Sequence, residues 1–270
     1  MRFALEALHC YIITPKVFQL YTMTELKRLI LDILFPRRCL GCEILLSGKD
    51  KSYICLACLS DIKIKNDFAC AFCNSPVVAG TTCPFCKPNH FLDRLLVAAS
   101  YENPLVEKII KTMKYLFVKT LADEMAGFMA KYLERRFSSG LNINCNSTIV
   151  VPVPLHRRRL NWRGFNQAEI IGGGVSSHFE LNFQDVLGRN RNHIPQAQIS
   201  DRQSRITNTA GIFKCMKTEL VQNKTILLID DISTTGSTLD DCARALKGAG
   251  AREIIGFVFA KGNLLKRQLI

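Results

Sequence analysis

The stretch Ile226-Leu-Leu-Ile-Asp230-Asp231-Ile-Ser233-Thr234-Thr235-Gly236-Ser237-Thr238 decides the fold of this chain. Its apolar opening, a strand over 224–229, is uninterrupted, as expected of a strand buried on both faces of a sheet. Small hydroxyl-bearing residues follow, then a helical pattern over 239–247 closed by Gly248 and Gly250. Such a strand delivers the chain to the carboxyl edge of an open α/β sheet, where ligands bind. The turn then meets a helix N-terminus, whose free N–H groups and positive dipole end suit a phosphate. Ser233, Thr234, Thr235 and Thr238 add hydroxyl donors, and Gly236 lets the backbone come close. Asp230 and Asp231 would repel an anion unless they hold something that offsets them, and a ribose with two vicinal hydroxyls and a divalent metal nearby meets that need. The spacing is neither a Walker loop nor a Gly-x-Gly-x-x-Gly turn. A plain capped helix after an Asp-rich turn is the simpler alternative, but it leaves the coincidence of strand, acid pair and hydroxyl cluster unexplained.

Outward from this segment, strands and helices alternate. Strands are expected at 95–101, 148–152 and 253–259, and helices at about 105–116, 118–136 and 164–178, the last weakened by Gly172-Gly173-Gly174. Asn103-Pro104 opens the first helix pair and Ser138-Ser139-Gly140 ends it. Continuous apolar strands separated by helices predict a parallel, doubly wound α/β sheet with helices on both faces. After the 148–152 strand comes Val153-Pro154-Leu155-His156-Arg157-Arg158-Arg159-Leu-Asn-Trp162-Arg163-Gly164-Phe165-Asn166-Gln167-Ala168-Glu169. Four arginines within seven residues at a strand's carboxyl end suit pyrophosphate or a nucleic-acid backbone, because guanidinium groups pair with phosphate oxygens in a fork. The alternative is a solvated basic turn. Trp162 and Phe165, interleaved with the arginines, would also suit stacking on single-stranded bases.

Eight of the twelve cysteines form four Cys-x-x-Cys pairs: Cys39/Cys42, Cys55/Cys58, Cys70/Cys73 and Cys83/Cys86. Each pair places two sulfurs in one tight turn and supplies half of a tetrahedral thiolate site, so two Zn²⁺ ions are expected. Sequential pairing gives two stacked ribbons; interleaved pairing has acceptable spacing too. With four thiolates per metal no position is left for water or substrate, so both sites are read as structural. A disulfide framework is the competing reading, opposed by the reducing cytoplasmic setting expected for this chain.

The chain has 270 residues, 48% of them apolar and 22% charged, which describes an ordinary folded protein of one or two domains and excludes a disordered one. Thirty-six basic and 23 acidic residues leave a net charge of +13, and two four-thiolate zinc sites would bring it to about +9, so anionic partners are expected. No apolar run of membrane-spanning length occurs, and Glu6, His9, Pro15 and Lys16 interrupt what would be a signal-peptide core. The division expected is an extension over 1–23, a helix plus cysteine module over 24–90 and the α/β domain over 91–270. Leu26, Leu29, Ile30, Ile33 and Leu34 recur at helical spacing, either to pack on the cysteine module or to lie on a membrane surface.

The 226–238 stretch resembles the thirteen-residue signature of type I phosphoribosyltransferases, which bind 5-phosphoribosyl-1-pyrophosphate (PRPP). That resemblance implies that Asp230 and Asp231 hold the ribose hydroxyls and that Ser233, Thr234, Thr235, Gly236, Ser237 and Thr238 cradle the 5-phosphate. The order of cysteine pairs, Val-Pro-Val-Pro-Leu-His, Arg-Gly-Phe-Asn-Gln-Ala-Glu and the acid-pair loop is similar to the ComF family, over about residues 24–262. Members act in bacterial DNA uptake during natural transformation. The likeness implies further binding positions at Lys114, Leu155, His156, Arg157, Arg158, Arg163, Asn166, Gln167 and Arg205, with Gln196, Asn208 and Phe213 also at signature places. It implies Mg²⁺ with PRPP, single-stranded DNA as a partner and inner-membrane uptake machinery as another, for a cytoplasmic protein peripheral to that membrane. Two other functions fit the same residues: an active phosphoribosyltransferase with an unidentified acceptor, and a regulator that senses PRPP without turnover.

Overall fold

The computed structural model describes residues 36–46, 52–139, 144–189 and 211–262. In chain order its elements are α1 (Leu56–Asp61), β1 (Arg94–Ser100), α2 (Pro104–Tyr115), α3 (Thr120–Ser138), β2 (Thr148–Pro152), α4 (Arg157–Arg163), α5 (Gln167–Phe179), β3 (Asn182–Phe183), β4 (Leu187–Arg189), β5 (Phe213–Cys215), α6 (Thr218–Val221), β6 (Thr225–Ser233), α7 (Ser237–Gly248) and β7 (Glu253–Lys261). The main sheet has the order β1-β7-β6-β2-β3, and all its pairings are parallel. The expected doubly wound α/β architecture is what the chain adopts.

The period-two geometry of a strand explains why β6 is apolar at every position from Ile226 to Ile229. Leu227 and Ile229 share an apolar cluster with Met125 and Met129 of α3 and Ile171 and Val175 of α5. Ile226 and Leu228 point the other way, into a cluster with Leu239, Cys242 and Leu246 of α7. Each such buried side chain contributes about 1.5–3 kcal/mol of hydrophobic stabilisation. Neither face of the strand can be polar without burying an unpaired polar group in one layer.

Helix α2 begins as its sequence predicts: the Asn103 side chain accepts hydrogen bonds from the N–H groups of Leu105 and Val106, and Pro104 occupies the first helical position. The glycines of α5 do not break it, because they permit close packing. A Cβ at Gly174 would lie 2.6 Å from Ala126 Cβ, and one at Gly172 would lie 3.0 Å from the Phe183 ring.

Three sequence expectations are corrected. The helix expected over 164–178 is α5, which starts only at Gln167 under the Asn166 cap; a separate short helix, α4, precedes it and ends at Gly164, whose φ of 78° only glycine adopts cheaply. The arginine-rich segment is therefore helical rather than a loop. Strand β6 runs past Ile229 to Ser233, because β7 continues to supply ladder partners, Asp230 opposite Val258 and Ser233 opposite Lys261. Helix α7 begins at Ser237, two residues before the apolar periodicity starts. Strands β3, β4 and β5 have two or three residues each, too few for any periodicity to show.

The cysteine module lies along the β1 edge, with antiparallel bridges Ile64–Ala99 and Thr81–Arg94. No helix among the described residues is long and apolar enough to cross a membrane. The 1–23 extension, the helical pattern at 26–34 and the positions Gln196, Arg205 and Asn208 lie outside the described residues.

Candidate ligand site and metal centres

At the carboxyl end of β6 the chain turns through Thr234, Thr235 and Gly236 into the N-terminus of α7. Gly236 is the cap residue, with φ of 79°. A hollow lies here, bordered by Asp230, Ile232 and residues 233–239. Thr235 Oγ1 and Ser237 Oγ are 2.8 Å apart, and the Ser237 N–H donates to Thr235 Oγ1 at 3.3 Å. The backbone N–H groups of Thr235, Gly236, Thr238 and Leu239 find no acceptor among the described residues, nor does the buried Ser233 hydroxyl find a partner there. Free first-turn donors converging on an open hollow are the physical requirement of an anion site.

The two aspartates have different surroundings. Asp231 is buried and its Oδ2 lies 2.7 Å from Lys114 Nζ, at the C-terminal end of α2. The buried Arg163 guanidinium donates from Nε to the Lys114 carbonyl at 3.1 Å; burial lowers its pKa, and the Asp231 carboxylate opposes that shift. Asp230 borders the hollow and accepts the Asp231 N–H at 2.8 Å. Desolvation, reinforced by the Asp231 charge, raises its carboxyl well above the usual carboxylate range.

Among the other flagged residues, Leu155 is half-buried before α4, and His156 caps that helix through Nδ1, which accepts from the Arg158 N–H at 3.2 Å. Burial, then Arg189, Arg158 and Arg159, lowers the His156 pKa, so the ring is neutral at pH 7. Arg157 and Arg158 are exposed on α4. The Asn166 amide is fully engaged: Nδ2 donates to the Val153 carbonyl at 3.1 Å and to Glu169 Oε1 at 3.0 Å, while Oδ1 accepts from Ala168 N–H at 3.2 Å. Its place in the motif is explained by capping α5. Gln167 is buried, and its Nε2 has no partner among the described residues.

The cysteines assemble sequentially, Cys39, Cys42, Cys55 and Cys58 in one group and Cys70, Cys73, Cys83 and Cys86 in the other, with the sulfurs of each group within 4.8 Å of one another. Burial opposes ionisation of Cys39, but the N–H groups at Cys55, Cys42 and Gly41 outweigh it and bring its thiol down to about 6. The Ser75 hydroxyl and N–H do the same for Cys73, also to about 6. The crowded partners pay in the other direction, Cys58 pushed up to about 12 chiefly by the Cys55 and Cys42 sulfurs and Cys86 to about 12 by burial and its neighbouring thiols. Four sulfurs this close ionise together only around a cation, and an all-sulfur tetrahedral set suits Zn²⁺ in a closed, structural role.

A family model for the phosphoribosyl transferase domain matches residues 166–267, and one for the double zinc ribbon domain matches residues 30–87. Competence protein F of Haemophilus influenzae is 23% identical over 224 residues, covering 75% of this chain and 94% of its own. Competence protein ComFC of Bacillus subtilis is 24% identical over 217 residues, 75% of this chain and 81% of its own. The order of the two domains and the relatives they match support the ComF family. The DNA utilization protein YhgH of Escherichia coli O157:H7 is 29% identical to this chain over 164 residues, 60% of it and 69% of the relative.

The ComF-family signature left some neighbours of the site unmarked. Tyr115 and Phe117 stand exposed beside the exposed Trp162, with ring centroids 6.5 and 5.0 Å from it in edge-to-face contact. Phe165, by contrast, packs against the core, so it does not share that surface. Arg189 of β4 sits 5.0 Å over the Phe213 ring, with burial lowering its pKa and Arg159 close enough to add to that shift. An exposed Lys-Tyr-Leu-Phe at the end of an amphipathic helix was the available signal for the first two; a three-residue strand carries none for Arg189.

Proposed function

We propose that this ComF-family protein holds PRPP at the carboxyl edge of β6 and binds single-stranded DNA on the adjoining aromatic and basic face, in support of DNA uptake. The observation that carries the first half is the hollow at 233–239, where four amides and the Ser233 hydroxyl have no partner among the described residues, beside an acid pair of split character. In this reading residues 233–238 cradle the 5-phosphate and Asp230 and Asp231 answer the ribose hydroxyls. In the same reading Arg163 and Gln167 serve the pyrophosphate side, supported by the burial of both and by the Gln167 Nε2 that has no partner among the described residues. Mg²⁺ would arrive with the pyrophosphate and screen its charge; Asp230 has a carboxylate oxygen to offer it, whereas Asp231 is already neutralised by Lys114. Calorimetric titration of PRPP with and without Mg²⁺ tests this, with released pyrophosphate measured in the same tube to separate binding from turnover. No heat of binding under either condition would reject the pocket; release of pyrophosphate with some amine or base would favour the active transferase.

The DNA half rests on Tyr115, Phe117 and Trp162 standing exposed next to Arg157, Arg158 and Arg159. Aromatic faces take stacked bases and guanidinium groups follow the phosphates. Trp162→Ala should weaken oligonucleotide binding by about 5- to 100-fold, the range of one lost stacked base. Replacing Arg157, Arg158 and Arg159 by alanine should flatten the slope of log affinity against log salt by about two. Filter binding or fluorescence anisotropy across a salt series reads both, and unchanged affinity and slope would remove this face from consideration. Peripheral association with inner-membrane uptake machinery belongs to the same proposal.

A further inference from the structure

The turn between Cys70 and Cys73 stands directly against the back of the phosphate loop. A Cβ at Gly236 would lie 3.1 Å from Phe72 Cε1 and 3.6 Å from the Ala71 carbonyl oxygen, so ring and backbone of this metal-binding knuckle touch the residue that caps α7. Phe72 stacks on His90 with centroids 3.4 Å apart and planes within 6°. His90 Nδ1 is 2.8 Å from Asp240 Oδ2, in the first turn of α7, and the other Asp240 oxygen accepts the N–H groups of Phe91 and Leu92 at 2.7 and 3.0 Å. From the opposite side Lys261, paired in register with Ser233, donates to the carbonyls of Cys70 and Ala71 at 3.1 and 2.9 Å and to Asn74 Oδ1 at 2.5 Å. Ala71 belongs to the same apolar cluster as Leu239 and Cys242.

The first cluster is attached elsewhere. Cys39, Ile54 and Ile62 join the cluster formed by α2 and α3, and the Tyr53 N–H donates to Glu124 Oε1 of α3 at 2.8 Å. Among the described residues, no hydrogen bond ties it to 230–240.

We infer that the second metal centre is part of the ligand site: the Cys70–Cys73 knuckle holds the 233–238 loop in its binding shape, with Phe72 as the positioning residue, so that zinc there and a phosphate monoester in the hollow favour one another. Zinc at the first centre does not enter this coupling. The inference rests on the reading of the hollow as a phosphate site. Coupling of this kind is reciprocal, so a bound phosphate ester must tighten the second zinc by the factor by which that zinc tightens the ester.

The test uses the zinc-loaded full chain with ribose 5-phosphate as the probe and compares Cys42→Ser, Cys73→Ser and Phe72→Ala. Cys42 and Cys73 are the exposed ligand of their respective clusters, so each substitution disturbs packing least. Calorimetry should show affinity reduced roughly tenfold or more in Cys73→Ser and Phe72→Ala and changed by less than about twofold in Cys42→Ser. Metal analysis should find both zincs retained in Phe72→Ala, and hydrogen exchange of peptides over 233–240 should speed up in that variant and in Cys73→Ser without any ligand. Saturating ribose 5-phosphate should raise the affinity of the second zinc in a chelator competition. Equal effects of Cys42→Ser and Cys73→Ser, or wild-type affinity and exchange in Phe72→Ala, would overturn the inference. Should Cys73→Ser fail to fold, Phe72→Ala decides with both metals in place. Should the wild type not bind ribose 5-phosphate, the pocket reading fails, and the exchange comparison still decides whether the knuckle holds the loop.

Discussion

Removing zinc with a strong chelator is expected to lower Tm by on the order of 10 °C and to unfold the cysteine module before the sheet. In the described part of that module, α1 is one of few regular elements, and it has no buried residue of its own. Its order leans on the two sulfur clusters, whose N–H···S bonds, such as Cys55 N–H to Cys39 Sγ at 3.3 Å, are stronger when the sulfur is an anion. With the dication gone, sulfurs crowded within 4.8 Å cannot all stay ionised, and Cys58 and Cys86, already at about 12, reprotonate first. Free energies of about 10–16 kcal/mol accompany structural zinc in small domains, so stripping two ions is a large perturbation. Calorimetry with parallel metal analysis should show two zinc ions per chain before treatment and a separate low-temperature transition after it. An unchanged thermogram with the metal demonstrably gone would show that the apolar contacts alone hold this module.

Asp230→Asn is expected to raise thermal stability by a few degrees and at the same time to reduce PRPP affinity by about 100-fold or more. The carboxyl is raised by burial and by Asp231, so the folded state holds its proton more tightly than the unfolded chain does. Between the unfolded pKa and the raised folded one, the folded protein binds more protons, and stability falls as pH rises through that window. Asparagine removes the ionisation and with it that loss. Ligand binding runs the other way: the ionised carboxylate is the form that accepts ribose hydroxyls or meets Mg²⁺, so affinity should climb with pH over the range in which Asp230 gives up its proton. Asp231→Asn should instead destabilise the protein by about 1–3 kcal/mol, because Lys114 Nζ, 2.7 Å away, loses its counter-ion beside the buried Arg163. Two adjacent aspartates with opposite effects on Tm form the expected pattern, read by thermal melts over a pH series and by calorimetry with PRPP. A Tm that falls equally in both variants would reject the split assignment.

Much of this was legible locally. Each Cys-x-x-Cys pair is its own turn, so the metal donors announce themselves within four residues. Strand β6, its turn and α7 are contiguous, and their apolar run, small residues and helical period are properties of neighbours along the chain. The cap of α2 by Asn103 is equally local. What the linear order cannot carry is any relation between distant residues. Sequential grouping of the cysteines emerged only when four sulfurs met in space. Nor does the linear order carry the partners of the Asn166 amide, which bonds Val153, Glu169 and Ala168.

Composition, spacing and periodicity determined the fold class, the eight paired metal donors and the place of the loop between β6 and α7, because each depends on residues a few positions apart and on forces that act along one element. Tertiary structure decided which aspartate is neutralised, through Lys114 from a helix 117 positions earlier, and which knuckle braces the loop, through Phe72 against Gly236. It also brought Tyr115 and Phe117 beside Trp162. Those are contacts between separate elements, set by how layers pack around a shared core, and no local preference of the chain encodes them.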